Sequence, residues 1–376
     1  MGHGATTRAL AAALAAIGAT LLGAPSALAS TVMDTEGDTI RVAETGDQAN
    51  QITISYDAGA ALYRVTDAAS TLTPSGTCVS VDANSATCPG AGIKTVIAQT
   101  GARDDVIKLD AATIPGAITE SLDGGSGSDT VIGADTPGTV SGGSGNDSVS
   151  GRGTLNGGNG NDLLTGSPLA DSLRGSNGKD TLDGGFGADD IDGGSNTDTL
   201  IYSARANPVN VTIGAGNGND GGPEDQTGAG RDTVHGDIED VFGTELGDVL
   251  VGDHSSETLI GLGGDDFIFG NSGRDTLLGY NGNDLLSGRS GKDLLRGGPG
   301  FDRLYGKSGN DRLAGGPDGD FLRGGSGRDV MKGKTGIDRI NARDGRRDVK
   351  ISCGPGKNKR EGAKRDKRFD PRPKSC

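Results

Sequence analysis

The sequence predicts an all-β protein built from short repeats. Of its 376 residues 70 are Gly, seven are Phe, five are Tyr and none is Trp. Apolar residues make up 32% of the chain, against roughly 45–50% in typical globular domains. A nine-residue period fills much of the chain, and the segment before it alternates apolar and polar residues as strands do. Little side-chain burial is available per residue, so we expect something besides hydrophobic packing to stabilise the fold.

Residues 1–29 have the pattern of an export signal. Arg8 precedes an apolar run of 14 residues, Ala9 to Leu22, and Ala27-Leu28-Ala29 fits a cleavage site of small residues. A membrane anchor is the alternative, but a span needs about 18–20 strongly apolar residues, and this run is shorter and mostly Ala. We therefore predict cleavage after Ala29 and a secreted, extracellular protein without a membrane span, in a compartment where thiols oxidise.

Residues 30–123 are predicted to form a small N-terminal β-rich domain or cap. Strand-like alternation occurs in residues 51–55, 62–65 and 78–81. The four cysteines form two local pairs, Cys78 with Cys88 in this segment and Cys353 with Cys376 in the predicted C-terminal cap, residues 351–376. Two disulfides are the simplest interpretation, because a thiolate metal site would require C-x2-C spacing and neighbouring His.

The net charge of −15 disfavours a nucleic acid or an anionic membrane as the partner of the whole chain and favours cations. Residues 341–376 contain 13 Lys or Arg and 5 Asp or Glu, whereas residues 30–340 carry a net charge of −24. The basic tail is a candidate for binding cell-surface or matrix polymers. A solvated, disulfide-tied chain end is the alternative.

The repeats form two blocks, residues 124–201 and 243–350, around an irregular segment, residues 202–242, that we interpret as one enlarged coil. The second block divides into twelve nonapeptides, among them GYNGNDLLS and GGSGRDVMK. Position one is Gly in eleven of them, position six is Asp in ten, and position eight is a large apolar residue in all twelve. The first block follows the same pattern, with one short unit, GRGTLN.

This pattern resembles the RTX, or hemolysin-type, calcium-binding repeat, GGxGxDxUx, over about half of the chain that follows the signal. The resemblance implies a parallel β-roll. In such a roll the first six residues of each unit form a turn, the last three form a short strand, two units make one coil, and calcium binds between successive turns on the same side. The predicted fold is thus a calcium-stitched parallel β-roll with a small N-terminal β domain or cap.

The residue types are consistent with calcium in the turns. Glycines allow the backbone angles at which carbonyl oxygens converge, and Ca²⁺ accepts about six to eight oxygen ligands in a flexible geometry. Because alternate units stack, aspartates 18 residues apart are expected to be partners, as Asp266 with Asp284. The predicted ligands of several calcium ions are the position-six aspartates: Asp129, Asp147, Asp162, Asp171, Asp180, Asp189, Asp198, Asp248, Asp266, Asp275, Asp284, Asp293, Asp302, Asp311, Asp320, Asp329 and Asp338.

A second interpretation of the same aspartates is that they bind the amides of their own turns. Their strict recurrence at position six favours the metal. Departures from the pattern indicate weaker sites: Glu257 and Arg347 replace Asp, and Gly138 stands where Asp is expected. A three-residue deletion is expected to interrupt the 18-residue register between Asp147 and Asp162.

We predict an extracellular calcium-binding protein, not an enzyme, with a structural or surface-association role and folding that depends on calcium. A calcium-dependent adhesin or ice-binding face is one alternative, although positions seven and nine vary too much for a regular Thr ladder. A secreted hydrolase with its site in residues 30–123 is another. The sequence after the signal contains only two His, His235 and His254, and no common catalytic motif.

Overall fold

The computed structural model describes residues 30–44, 48–115, 118–215, 220–223, 231–342, 350–352 and 364–365. In these residues the chain forms strands and turns without an α-helix. Consequently no helix in the described part of the chain is long and apolar enough to cross a membrane. The predicted export signal, the Cys353–Cys376 pair and most of the basic tail lie outside the described residues.

The strands before the first block are β1 Ser30–Glu36, β2 Thr39–Glu44, β3 Gln51–Asp57, β4 Leu62–Asp67, β5 Thr71–Pro74, β6 Val79–Asp82, β7 Ser85–Pro89, β8 Thr95–Gln99 and β9 Val106–Leu109. The first block contains β10 Thr119–Ser126, β11 Thr130–Ile132, β12 Gly138–Ser144, β13 Ser148–Ser150, β14 Gly153–Asn159, β15 Leu163–Thr165, β16 Ser172–Asn177, β17 Thr181–Asp183, β18 Asp190–Ser195 and β19 Thr199–Ile201.

The enlarged coil contributes β20 Asn210–Thr212, β21 Thr233–Val234 and β22 Asp240–Phe242. The second block and the chain after it contain β23 Val249–Val251, β24 Thr258–Gly263, β25 Phe267–Phe269, β26 Ser272–Gly273, β27 Thr276–Asn281, β28 Leu285–Gly291, β29 Leu294–Arg296, β30 Arg303–Gly309, β31 Arg312–Gly316, β32 Phe321–Ser326, β33 Val330–Lys334, β34 Arg339–Ala342, β35 Lys350–Ser352 and β36 Lys364–Arg365.

Two repeat units make one coil, so strands 18 residues apart pair in parallel, as Leu164 with Leu182 and Leu182 with Leu200. On one side of the roll these pairs form a single row of strands, which we call the long ladder: β3, β9, β11, β13, β15, β17, β19, β22, β24, β27, β29, β31, β33 and β35. On the other side they form two sheets. The first-block sheet contains β2, β8, β10, β12, β14, β16, β18 and β21, and the second-block sheet contains β20, β23, β25, β28, β30, β32, β34 and β36. This arrangement confirms the predicted parallel β-roll.

The core of the roll is one column of apolar side chains from each side. The position-eight residues are buried, as Leu182 and Leu304 illustrate with 0% exposure, because positions seven and nine of the same short strands face outward. Several strands run on into the turn, for example β10 and β12, so pairing also covers the first residues of the next unit. Each unit thus contributes a single side chain to a thin core.

The N-terminal segment is continuous with the roll. Antiparallel pairs join β1 to β2, β3 to β4, and β7 to both β4 and β6. The parallel pairs β2–β8–β10 and β3–β9–β11 then lead directly into the first block. Cys78 and Cys88 form the predicted disulfide, with their Cα atoms 4.2 Å apart.

The enlarged coil divides the two sheets and preserves the long ladder. β21 is the last strand of the first-block sheet and β20 is the first strand of the second-block sheet, whereas β22 pairs with both β19 and β24. Tyr202 anchors this coil, because its side chain is buried and its hydroxyl donates a 2.8 Å hydrogen bond to Asp232.

Candidate metal centres

All seventeen predicted aspartates lie at the junction of a turn with a strand, and each is 0–6% exposed. One carboxylate oxygen, Oδ1, connects neighbouring coils. The backbone N–H of Asp162 donates to Oδ1 of Asp180 at 2.8 Å, and the N–H of Asp266 donates to Oδ1 of Asp284 at 3.0 Å. The predicted stacking of aspartates 18 residues apart is therefore present.

The deletion shortens the 18-residue spacing to 15 residues, as expected, but it does not interrupt the stack of aspartates. The N–H of Asp147 donates to Oδ1 of Asp162 at 2.8 Å, although only 15 residues separate them. The short unit loses residues from its turn, and β14 still pairs in register with β12, with Leu155 opposite Val140. The stack therefore passes through the deletion.

The second carboxylate oxygen, Oδ2, is buried without a hydrogen-bond donor among the described residues in most of these aspartates. This holds for Asp129, Asp147, Asp162, Asp180, Asp198, Asp266, Asp275, Asp284, Asp293, Asp302, Asp311, Asp320 and Asp338. A buried carboxylate oxygen without a donor costs about 1–3 kcal/mol or more. Burial accordingly raises the pKa of Asp162 to about 6, that of Asp302 to about 7 and that of Asp266 to about 8.

Each of these oxygens faces the position-one glycine of its own unit. A Cβ atom added to Gly261 would lie 1.9 Å from Oδ2 of Asp266 and 3.1 Å from the carbonyl oxygen of Gly279 in the next coil. The same place therefore combines a carboxylate oxygen with a backbone carbonyl, which are the hard oxygen donors that Ca²⁺ prefers. In the described part of the chain no three His, Cys, Asp or Glu side chains come together. An ion between the turns would thus draw mainly on backbone oxygens, and the residues present fit calcium.

Asp171 and Asp248 differ from the others. Their Oδ2 atoms accept 2.6 Å hydrogen bonds from the backbone N–H groups of Ser167 and Thr244, and the Thr244 hydroxyl also donates to Asp248. Their units, GSPLADSLR and GTELGDVLV, have Leu in place of the position-four glycine of the regular turn. The geometry here is that of an aspartate binding the amides of its own turn. Calcium binding by these two residues stays a prediction. Their contacts favour it less than those of the other aspartates, because their Oδ2 atoms already accept hydrogen bonds.

Two acidic residues before the first block belong to the same rows. The N–H of Asp105 donates to Oδ1 of Asp129 at 2.8 Å, and Oδ2 of Asp105 is buried without a donor among the described residues. Glu120 pairs with Gly138, the position that lacks Asp, and a Cβ added to Gly133 would lie 2.2 Å from its Oε1. The Glu120 carboxylate therefore occupies the place left by the missing aspartate, and burial raises its pKa to about 7.

The enlarged coil and the second unit of the second block supply three more. Asp232 accepts a hydrogen bond from the N–H of Asp189 at 3.1 Å, and Glu239 accepts one from Asp198 at 2.9 Å. Glu257 is buried at position six, and burial raises its pKa to about 9. Sequence reasoning missed Asp105, Glu120, Asp232 and Glu239 as members of the rows. The sequence pattern that could have identified them is an acidic residue two positions before an apolar residue, the spacing of positions six and eight. Asp232 and the buried Val234 are an example.

A family model described as the RTX calcium-binding nonapeptide repeat, in four copies, matches residues 123–154, 150–168, 165–200, 251–286, 287–322 and 323–346. No curated protein sequence matches the chain. The matched segments contain every predicted position-six aspartate except Asp248. The chain therefore carries two blocks of RTX, or hemolysin-type, calcium-binding repeats, which fold as a parallel β-solenoid.

Proposed function

We propose that the protein is an extracellular calcium-binding protein whose repeat blocks bind several ions and fold into the roll as they bind. One observation carries the proposal: the rows of buried Oδ2 atoms that face position-one glycines and have no donor in the described residues. Stacked, desolvated carboxylates repel one another, so an apo roll would be unstable unless the carboxylates were protonated. Calcium neutralises them and joins adjacent turns.

The ions would be held in two columns, one for each side of the roll. On the second-block sheet the ligands would be Asp266, Asp284, Asp302, Asp320 and Asp338, and on the long ladder Asp275, Asp293 and Asp311, each with backbone carbonyls. At free calcium of about ten times the dissociation constant, each site adds roughly 1.4 kcal/mol to the free energy of unfolding. Because coils contact only their neighbours, these contributions sum along the roll.

The extracellular location and the structural, non-enzymatic role are parts of the same proposal. The export pattern of residues 1–29 supports the location, and the Cys78–Cys88 disulfide is consistent with an oxidising compartment. The support for a role without catalysis is the small inventory of catalytic residue types in the sequence. Assays of the secreted protein with protein, lipid and glycoside substrates test that part, and turnover that depends on residues 30–123 would overturn it.

Circular dichroism of the purified protein tests the calcium-coupled folding. In EDTA we expect a largely disordered spectrum, and in millimolar calcium a cooperative gain of β-structure, with magnesium at equal concentration as the control. Isothermal titration calorimetry should give more than one ion per chain. A folded spectrum that chelation leaves unchanged would refute the coupling.

A further inference from the structure

The outer surface of the second-block sheet has an unusual composition. Strands β25, β30 and β32 present what we call the aromatic–arginine face: Phe267, Phe269, Arg303, Tyr305, Phe321 and Arg323. Strand pairing places Arg303 opposite Phe321 and Tyr305 opposite Arg323. Four of the twelve Phe and Tyr residues of the chain lie on this one face. By contrast, the outer surface of the first-block sheet carries small polar or acidic residues such as Ser121, Thr139 and Asp190.

The charge around this face is opposite to that of the whole chain. Residues 285–340 contain eleven Lys or Arg, all exposed. Of the seven Asp in the same range, six are buried position-six residues, and Asp318 is the exposed one. The carboxylates of residues 285–340 are therefore mostly buried beside the turns, and the exposed charges of the same residues are mostly cationic. A surface of one sign attracts polymers of the opposite sign.

The aromatic side chains hold cations in place on this face. The Arg289 guanidinium lies 5.3 Å from the centre of the Phe269 ring, and the Lys307 ammonium lies 5.1 Å from the centre of the Tyr305 ring. The rings of Tyr305 and Phe321 are 5.7 Å apart. Strands β30 and β32 pair directly, about 4.8 Å apart, whereas β28, with Leu285 and Ser287, lies between β25 and β30, so the face extends along the roll axis with one gap.

We propose that the aromatic–arginine face binds an acidic polysaccharide that lies along the axis of the roll. Guanidinium groups bind carboxylate or sulfate groups in a bidentate manner, and rings such as Phe321 offer apolar area to the faces of sugar rings. A single-stranded nucleic acid fits less well, because its bases need open ring faces and cations lie over the rings of Phe269 and Tyr305. The proposal goes beyond calcium binding and requires only the folded roll.

Binding of the full protein to dextran sulfate, measured in millimolar calcium at physiological salt, tests the proposal. Neutral dextran of the same size and a single-stranded oligothymidylate are the comparison probes. The variant Arg303→Gln/Arg323→Gln removes two charges from the face. The matched control, Arg296→Gln/Arg312→Gln, removes two exposed charges from the equivalent positions of the long ladder.

We expect the first variant to weaken dextran sulfate binding about tenfold and the control to change it less than about twofold. Tyr305→Ser/Phe321→Ser should also weaken binding, and circular dichroism in calcium verifies that each variant folds. Equal losses in both Arg variants would mean non-specific charge attraction and would overturn the proposal. Tighter binding of the oligothymidylate than of dextran sulfate, or no effect of any variant, would overturn it as well. Failure of calcium-coupled folding would instead appear as a spectrum that EDTA does not change.

Discussion

The backbone N–H of Asp284 donates a 3.0 Å hydrogen bond to Oδ1 of Asp302, although 18 residues separate them in the sequence. Each position-six carboxylate of the regular units thus divides its two oxygens between two tasks: Oδ1 holds the preceding coil, and Oδ2 faces the turn. An Asn side chain has one oxygen that can take the first task and lacks the charge that the second requires. Substitution by Asn can therefore separate stacking from ion binding.

Asp284→Asn/Asp293→Asn tests this division. We expect the calcium midpoint of folding to rise about tenfold, because one charged ligand is lost on each side of the roll. The exposed Asp318→Asn, in the same block, is the control and should leave the midpoint within about twofold. Calcium titrations followed by circular dichroism give both values. Equal shifts in the two proteins would contradict a ligand role for Asp284 and Asp293.

Asp248 is expected to respond differently because its Oδ2 atom already accepts the Thr244 N–H. Thr244→Val removes the hydroxyl that donates to the same carboxylate, and we expect a loss of about 1–2 kcal/mol in the free energy of unfolding, measured with urea in calcium. The number of bound ions, measured by calorimetry, should stay that of the unsubstituted protein. Asp266→Asn should reduce that number and Asp248→Asn should not, and a reduced number in Asp248→Asn would show that Asp248 holds an ion.

The position-one glycines provide a steric test. Gly261→Ala would place a methyl group against Oδ2 of Asp266, so we expect weaker calcium binding and a lower melting temperature in calcium. Gly59→Ala is a suitable control, since the nearest atom to its added methyl group is 3.4 Å away, an ordinary contact. Differential scanning calorimetry measures both proteins. An unchanged melting temperature in Gly261→Ala would indicate that the turns are wider than described.

The calcium-free protein should respond to pH in the opposite direction from ordinary acid denaturation. Burial raises the pKa of Glu120 and of Asp320 to about 7. The folded state therefore binds more protons than the unfolded state at weakly acidic pH, and its stability falls as the pH rises through these values. In EDTA we expect more β-structure at about pH 5.5 than at about pH 8.

Calcium should reverse this preference, because protons and calcium compete for the same oxygens. The calcium midpoint is expected to be higher at the lower pH. Asp320→Asn, which cannot bind the proton, should show a smaller pH effect in EDTA than the unsubstituted protein. A spectrum in EDTA that does not change between the two pH values would argue against buried, protonated carboxylates in the apo roll.

The sequence was sufficient for the regular part of the roll. The residue at position eight must be apolar because its side chain is buried in the core between the two sides of the roll. The residue at position six is Asp because its carboxylate connects stacked coils. Both residue types therefore recur at a constant spacing that can be recognised in the sequence. Leu286 and Asp284 illustrate the two positions. The parallel pairing followed from the same period, since a strand of three residues pairs with its equivalent in the next coil.

The remaining features depend on contacts that have no fixed spacing. Glu120 stands in for the aspartate missing at Gly138 because its side chain is one methylene longer and reaches the next coil. Thr244 donates to Oδ2 of Asp248 in a turn that has Leu246 in place of the position-four glycine. Asp232 lies 43 residues after Asp189, its partner in the row, so no period of 18 could connect them.

The two blocks are joined less firmly than the coils within each block. Between β19 and β22 the long ladder continues. On the opposite side, in the described residues, single bridges of Asn210 with Gly221 and of Asp220 with Asp232 take the place of a ladder. Since each coil is stabilised by its neighbours, the enlarged coil is where cooperativity is lowest. We therefore expect the two blocks to unfold as separate units, so that a partly unfolded protein can keep one block intact.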